Sequence, residues 1–265
     1  MKGIDISKHN GVINFTKLKG VIDFVMIRAG YGKNNIDTKL TANVEGVKKV
    51  GLHFGFYWFS YAKSESMAVN EANYLCDIAD KYHPDFPLVY DWEYESDKNY
   101  AKSGKPLTNS ERVKFAKAFL NQVEKRGYYA MIYANADYIK NKGFNQLLKT
   151  YDLWLAQPSG KTPAYSCGIW QYSFKGKLTG INTDVDLDIA YKDYHNSLLL
   201  NKKENKEKNT MNINEKIVKR LNDVYVTTAK EIINGKYGNG EERKEKIKSI
   251  GLDYDIVQMI VSELM

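Results

Sequence analysis

Two carboxylates follow a short apolar run in the first half of the chain. Asp91 and Glu93 come after the segment FPLVY at residues 86–90, and Trp92 stands between them. Because side chains alternate between the faces of a strand, both acids should point to one face and Trp92 to the other. Paired acids at the carboxyl end of a barrel strand suit cleavage of a glycosidic bond, in which one acid protonates the leaving oxygen. Two solvated acids at a strand end are the alternative interpretation.

Two further acids occupy comparable positions. Asp5 follows the segment KGI at residues 2–4, and Asp186 lies in the segment NTDVDLD at residues 182–188. The first and last strands of a closed barrel are neighbours, so we expect Asp5 and Asp186 to flank the same rim. Aromatic residues on nearby strands could complete a cleft that binds sugars; these are Tyr57, Trp58, Tyr133, Trp154 and Trp170.

The elements that must position these acids alternate between strand-like and helical patterns up to about residue 193. Seven runs rich in aliphatic and aromatic residues predict strands at Lys2–Ile6, Phe24–Arg28, His53–Phe59, Leu88–Trp92, Tyr129–Tyr133, Leu153–Ala156 and Gly168–Tyr172. Three-and-four spacing predicts helices at Lys39–Val50, Ser64–Tyr82 and Asn109–Arg126, the last capped by Ser110 or Asn109. This alternation indicates an α/β fold, either a doubly wound sheet or a barrel. The later strands leave little room for helices, so a barrel should be irregular in its last third.

The character of the sequence then changes. Residues 201–210 (NKKENKEKNT) contain no apolar side chain, which predicts a solvated linker. Beyond it, short helical patterns at Val224–Asn234, Glu241–Ile250 and Asp255–Leu264 predict a small three-helix bundle near the lower size limit for independent folding. We therefore predict a catalytic domain at 1–195, a polar linker at 196–213 and a helical module at 214–265.

Composition excludes several classes of protein. The formal net charge is +7, but no dense basic stripe with interleaved aromatics indicates nucleic-acid binding. The sequence has no run of 18 apolar residues and no apolar segment near Met1, so we expect neither a membrane span nor a signal peptide. Cys76 and Cys167 are expected to be buried thiols. The four histidines show no paired spacing, so no metal and no cofactor is expected; they are His9, His53, His83 and His195.

Five segments together resemble the family 25 glycoside hydrolases, the lysozymes of phages, bacteria and some fungi. They run in order as GIDISKHNG at 3–11, FVMIRA at 24–29, GFYWF at 55–59, DWE at 91–93 and WQY at 170–172. The resemblance implies an irregular barrel of about eight strands that cleaves the β-1,4 bond between N-acetylmuramic acid and N-acetylglucosamine. Trp58 departs from the pattern, because many members carry histidine there.

The resemblance also implies roles for single residues. Glu93 corresponds to the general acid/base, and Asp91 to the carboxylate that orients the substrate's own 2-acetamido group, which attacks with retention of configuration. Asp5 and Asp186 correspond to two further acids that hold the acetamido group, a water or the surroundings of Asp91. We expect burial and the charge of Asp91 to raise the pKa of Glu93. Substrate contacts are expected from Arg28, Tyr57, Trp58, Tyr61, Tyr133 and Gln171.

The C-terminal segment resembles a short cell-wall-binding repeat found at the end of some phage lysozymes. The resemblance rests on residues 229–243, 251–255 and 257–258. It implies binding of a muropeptide, with Tyr237, Asn239 and Arg243 as contact candidates. The alternative is a helical module whose glycines only cap helices and whose Arg243 is solvated.

The favoured hypothesis is therefore a phage endolysin that acts on Gram-positive peptidoglycan, made in the host cytoplasm and released to the wall at lysis. A non-catalytic wall-binding protein on a degenerate barrel and an N-acetylglucosaminidase or chitinase remain alternatives. Met211 directly follows the polar run 201–210, and the codons for that run are largely purine-rich. An internal translation start there would yield free modules that form a homo-oligomer with the full chain; otherwise Met211 is an ordinary linker residue.

Overall fold

The computed structural model describes residues 1–195 and 217–265. The chain folds into two compact units, Met1–Leu199 and Leu200–Met265. The predicted linker 196–213, together with Met211, lies outside the described residues. Each unit is described by itself.

The first unit is built on a closed β-barrel. Its strands are β1 Lys2–Ile6, β2 Phe24–Tyr31, β3 Asn35–Ile36, β4 His53–Phe59, β5 Leu88–Asp91, β6 Ala130–Asn135, β7 Asp152–Ala156, β8 Ile169–Gly176 and β9 Val185–Ala190. Eight of them close in the order β1-β9-β8-β7-β6-β5-β4-β2, with β2 paired back to β1, while the short β3 pairs with β2 outside the ring. The predicted irregular barrel of about eight strands is confirmed.

The barrel is mixed because one strand runs against the others. β9 is antiparallel to both β1 and β8, whereas the remaining pairs of the ring are parallel. β9 is missing from the seven strands predicted from sequence, although its alternation of valine, leucine and isoleucine with acids is the pattern of a half-buried strand. Within the described stretch 152–190, loops without any α-helix join β7, β8 and β9, as the short spacings predicted.

Helices cover the outside of the barrel. They are α1 Leu40–Val50, α2 Glu65–Tyr82, α3 Tyr94–Ala101, α4 Asn109–Lys125 and α5 Ala136–Asn141. α3 and α5 are not among the helices predicted from the sequence, because both are short and α3 is largely polar. The predicted cap of α4 was wrong by one residue: the Thr108 hydroxyl accepts the N–H of Glu111, so Asn109 and Ser110 already lie inside the helix.

Two apolar layers result from strand alternation. Inside the barrel lies a cluster that includes Phe24, Met26, Val89, Met131 and Trp154. A larger cluster fills the space between the outer face of the strands and the helices. Cys76 is buried there as expected, whereas Cys167 is only half-buried.

In the second unit, the described residues 217–265 form three helices, as predicted. Residues 217–233 form α6, followed by α7 Gly240–Ser249 and α8 Tyr254–Leu264. Its small core contains Ala229, Ile232, Ile247, Val257 and Val261. None of the helices that the structure describes is long and apolar enough to cross a membrane.

Candidate active site

Asp91 is the last residue of β5 and lies at the carboxyl end of the parallel strands. Its side chain is 4% exposed, and its Oδ1 accepts no hydrogen bond from any described residue. Burial raises the pKa of Asp91 well above its ordinary value, the charge of Glu93 raises it further, and the Arg28 guanidinium opposes the shift. Asp91 is thus a buried acid with a free acceptor oxygen.

Glu93 lies just beyond the strand, at the N-cap of α3. The strand predicted to end at Trp92 ends one residue earlier, but Glu93 keeps extended backbone angles of φ −128° and ψ −175°. The predicted alternation therefore continues: Trp92 is buried in the outer layer, where its Nε1 donates to Asp97 at 2.8 Å. Burial raises the pKa of Glu93, as expected, but the added charge effects come from Asp186 and Glu95 and not from Asp91.

Barrel closure brings Asp5 and Asp186 together, as predicted. The two residues are direct partners in the antiparallel pairing of β1 with β9. Asp5 is 7% exposed, and its pKa is raised well above the ordinary value by burial and by the charges of Asp188 and Asp186. Burial raises the pKa of the half-buried Asp186 to about 6.

Asp188 is a site residue that the sequence analysis did not single out. It lies two residues after Asp186 on the same face of β9 and is fully buried. The Trp154 indole donates to its Oδ1 at 2.8 Å, and burial raises the pKa of Asp188 to about 8. The i, i+2 spacing from Asp186 was the available signal, because it is the same spacing that marked Asp91 and Glu93.

A hydrogen-bonded chain of polar side chains connects three strands below the acids. The Tyr133 hydroxyl donates to Gln171 Oε1 at 2.8 Å, and Gln171 Nε2 donates to Asp5 Oδ2 at 2.6 Å. Gln171 is 2% exposed, and its amide is already hydrogen-bonded to Asp5 and Tyr133. Little of this side chain is therefore left to contact a ligand. The structure thus brings Tyr133 and Gln171 to the predicted site, with Gln171 fixing the orientation of Asp5.

Arg28 and Tyr61 share a cavity on the neighbouring strands. The cavity measures about 360 Å³ and is lined by Lys8, His9, Arg28, Tyr31, Phe59 and Tyr61. Arg28 Nε donates to Asp37 Oδ2 at 2.7 Å, which holds the guanidinium at this end of the barrel. Phe59 pairs directly with Asp91 across β4 and β5, so the cavity adjoins the acids. Tyr57 is buried in the barrel interior, with its hydroxyl 3.5 Å from the Ile6 carbonyl oxygen.

The prediction that Trp58 contacts substrate is wrong. Strand alternation turns Tyr57 inward and Trp58 outward, where Trp58 is 0% exposed and packs against Tyr74 of α2. Its indole nitrogen donates to the Gly32 carbonyl at 3.2 Å. Trp154 and Trp170 are likewise buried, the first inside the barrel and the second in the outer layer. These three indoles build the core and do not line a cleft.

In the C-terminal unit, Arg243 organises the glycine-rich turn before α7. Its Nε donates to the Gly238 carbonyl at 2.9 Å and its guanidinium donates to Asn239 Oδ1 at 2.7 Å. Gly238 has φ +72°, which favours glycine. Tyr237 is half-buried against the module core. Arg243 and Asn239 are thus adjacent, while Arg243 also stabilises the turn.

Comparison with known proteins places both units. The family model for glycosyl hydrolases family 25 matches residues 4–181. The chain belongs to this family of glycoside hydrolases. The CW_7 repeat, a second family model, matches residues 227–265. Both resemblances drawn from the sequence are confirmed. At the rim of the barrel that carries Asp91 and Glu93, the described residues contain no cluster with metal-ligand spacing.

Individual relatives agree with the family assignment. An autolytic lysozyme of Clostridium acetobutylicum is 27% identical over 191 residues, which are 71% of this chain and 55% of that protein. The chain therefore matches about half the length of that relative. The modular autolysin LytC of Streptococcus pneumoniae, whose structure is also known with a synthetic peptidoglycan ligand, shows 28% identity and a TM-score of 0.61 over 72% of this chain and 46% of that one. The catalytic domain of endolysin ply40 from a Listeria monocytogenes bacteriophage shows 26% identity and a TM-score of 0.62 over 75% of this chain and 96% of that one.

Proposed function

We propose that this chain hydrolyses the β-1,4 bond between N-acetylmuramic acid and N-acetylglucosamine in Gram-positive peptidoglycan. The observation that carries the proposal is the placement of Asp91 and Glu93 at the carboxyl end of the barrel, with Asp5 and Asp186 on the adjoining strands. The relatives named as lysozymes and autolysins, and the peptidoglycan ligand of one of them, support this substrate.

Glu93 is the proton donor in this proposal. A general acid must carry its proton at neutral pH, and burial raises the pKa of Glu93 in that direction. After protonating the leaving oxygen, the same carboxylate removes a proton from the attacking water. The charge of Glu93 is one of the causes that raise the pKa of Asp91, so ionisation of both carboxylates at once is disfavoured. Arg28 favours the negative charge on Asp91, which is the ionised partner that this proposal requires beside a protonated Glu93.

Asp91 orients the substrate in this proposal. Its free Oδ1 can accept the N–H of the 2-acetamido group, and its charge stabilises the positive charge that develops when the acetamido oxygen attacks the anomeric carbon. The i, i+2 arrangement supports substrate assistance, because neither carboxylate faces the opposite side of the sugar ring from the other. The reaction then proceeds with retention. Asp5, held by Gln171, and Asp186 form the wall that receives the acetamido group or the water.

The test is Glu93→Gln, which keeps the shape of the side chain and removes the transferable proton. Turnover should fall by about two to four orders of magnitude, the usual contribution of general acid/base catalysis. Glu45→Gln is the control, since Glu45 is an exposed glutamate on α1, away from the acids. Turbidity loss of purified walls and reducing-sugar release are the readouts. Near-normal turnover by folded Glu93→Gln protein would refute the role.

The C-terminal module supplies wall binding in this proposal, with Tyr237, Asn239 and Arg243 contacting a muropeptide. The match to the CW_7 repeat supports this role. Binding at the wall raises the local concentration of the catalytic unit near its substrate. The similarity to the ply40 domain supports an endolysin of phage origin that is made in the host cytoplasm and reaches the wall at lysis.

Two alternatives are separated by product analysis. A non-catalytic wall-binding protein would release no reducing sugar from walls that it binds, and the site acids Asp91, Glu93, Asp5 and Asp186 argue against it. An N-acetylglucosaminidase would leave N-acetylglucosamine at the new reducing end.

An internal start at Met211 would supply extra copies of the single wall-binding repeat. Free modules that assemble with the full chain would replace tandem repeats by avidity. Expression from the native gene should then give a second, short product that disappears in Met211→Leu. A single product with a monomeric mass in solution would refute this part of the proposal.

A further inference from the structure

Three potential metal ligands meet at the opposite end of the barrel from the acids. His53 Nδ1 lies 2.6 Å from Asp85 Oδ2, and His195 Nδ1 lies 3.0 Å from the same oxygen. The ligand atoms of all three residues lie within 4.8 Å of one another. His53 begins β4 and Phe59 ends it beside Asp91, so the six residue steps between them separate the two sites by about 20 Å of strand.

The fold, and not the local sequence, creates this cluster. His53 and Asp85 are 32 residues apart, and Asp85 and His195 are 110 residues apart. The spacing of the histidines in the sequence therefore could not reveal the cluster. His195 is brought in by the segment after β9, in which the Tyr191 N–H donates to the Gly168 carbonyl at 2.8 Å.

Tyr194 fixes the position of its neighbour His195. It is 1% exposed and closes the bottom of the barrel, with its ring centroid 5.4 Å from that of Phe86. Its hydroxyl donates to Asp152 Oδ2 at 2.6 Å. Because both ring and hydroxyl of Tyr194 are held, the backbone at His195 is anchored beside Asp85.

The other two ligands are also oriented before any ion arrives. Asp85 Oδ1 accepts the Phe54 N–H at 2.9 Å, which turns Oδ2 toward both imidazoles. The His53 ring stacks on Phe86 at 5.9 Å between centroids and 22° between planes. Such outer contacts, which hold a ligand in its binding orientation, are typical of metal sites in proteins.

We propose that His53, Asp85 and His195 form a binding site for a divalent first-row transition metal such as Zn²⁺. Two imidazole nitrogens and one carboxylate oxygen are a donor set that suits these ions. Each neutral imidazole would carry its proton on Nε2, so that the Nδ1 lone pair faces the ion. The three side chains are 30–34% exposed, which lets the ion enter and leaves room for water to complete its coordination.

The ion would act as a structural clamp. It would cross-link β4, the segment that precedes β5 and the segment that follows β9, which are distant in sequence. An ion that binds the folded state more tightly than the unfolded chain stabilises the fold by mass action. The site is separate from Asp91 and Glu93, so the proposal stands independently of the activity proposed above.

Zn²⁺ titration of the full chain without a histidine tag tests the site. Isothermal titration calorimetry should show one saturable site, and Zn²⁺ should raise Tm until the site is filled. Co²⁺ in place of Zn²⁺ should give the visible d–d absorption of a protein-bound ion. His195→Gln and Asp85→Asn should each weaken Zn²⁺ binding more than about tenfold. Changing a residue that only contacts a metal ligand already costs about that much, and these substitutions remove a ligand itself. Both variants should unfold at nearly the wild-type Tm in EDTA.

His83→Gln is the matched control, because His83 is an exposed histidine at the C-cap of α2, outside the cluster. It should bind Zn²⁺ as the wild type does. Asp85→Asn retains an oxygen for the Phe54 N–H, so it separates ligand loss from misfolding. No saturable binding by the wild type would overturn the proposal, as would equal binding by wild type, His195→Gln and Asp85→Asn.

Discussion

Glu71 on α2 should make the stability of the barrel depend on pH. It is 2% exposed, its Oε2 accepts the Ser60 hydroxyl, and its Oε1 accepts the Tyr61 N–H at 3.0 Å. The Ser60 N–H in turn donates to the Asp91 carbonyl at 2.8 Å, so Glu71 supports the loop that adjoins the candidate active site. Burial raises the pKa of Glu71 from 4.5 to about 7, against the opposing effect of its two hydrogen bonds.

The sign and size of the effect follow from this pKa. Between pH 4.5 and 7 the folded chain keeps a proton that the unfolded chain has released, so stability falls as pH rises. The stabilisation is complete below the unfolded pKa and is lost as pH passes the folded pKa. A difference of about 2.5 pKa units, at 1.36 kcal/mol each, is worth about 3 kcal/mol.

Glu71→Gln isolates this contribution. The amide does not titrate and still offers an oxygen to Ser60 or Tyr61. Urea unfolding followed by circular dichroism, from pH 4 to pH 8, should show wild type losing about 3 kcal/mol relative to the variant. The other acids with raised pKa values are common to both proteins and cancel in the difference. Glu45→Gln, at an exposed position on α1, keeps Glu71, so the difference in stability between this variant and the wild type should not change with pH. A difference between wild type and Glu71→Gln that stays constant over this range would refute the reasoning.

Three further predictions concern the site, the core and the module. Asp91→Asn should lower kcat at least about 100-fold with an unchanged fold, because the amide stabilises a developing positive charge poorly; a mild loss would contradict substrate assistance. Trp58→Ala should lower the free energy of unfolding by about 3–5 kcal/mol, because it removes a buried indole, and activity per folded molecule should show an unchanged KM. Arg243→Ala should weaken sedimentation with purified walls, whereas Arg220→Ala, an exposed arginine on α6, should not; equal binding by both would contradict the assigned contact.

Strand alternation and barrel closure made the central acids predictable. The i, i+2 spacing of Asp91 and Glu93 places them on one face even though the strand ends at Asp91. Closure of the ring made Asp5 and Asp186 neighbours without any knowledge of the intervening chain. Both arguments depend on local geometry and topology, which a sequence pattern carries.

The other residues could not be assigned from the sequence, because their burial and contacts depend on the tertiary structure. Asp188 lies in an acidic segment, yet it is fully buried and its carboxylate accepts the Trp154 indole N–H. Tyr57 and Trp58 are both aromatic, so the pattern did not reveal which one faces the barrel interior. His53 and His195 are more than 100 residues apart in the sequence, and the tertiary fold brings them together, so no spacing rule detects the pair.

The product of peptidoglycan digestion tests the central claim most directly. Purified Gram-positive walls are digested with the full chain, the fragments are reduced with borohydride, and the new reducing ends are identified by mass spectrometry, with the Glu93→Gln protein as a blank. Cleavage after N-acetylmuramic acid predicts N-acetylmuramitol at the new ends. N-acetylglucosaminitol at those ends, or no new ends from soluble and folded protein, would contradict the assignment of a muramidase.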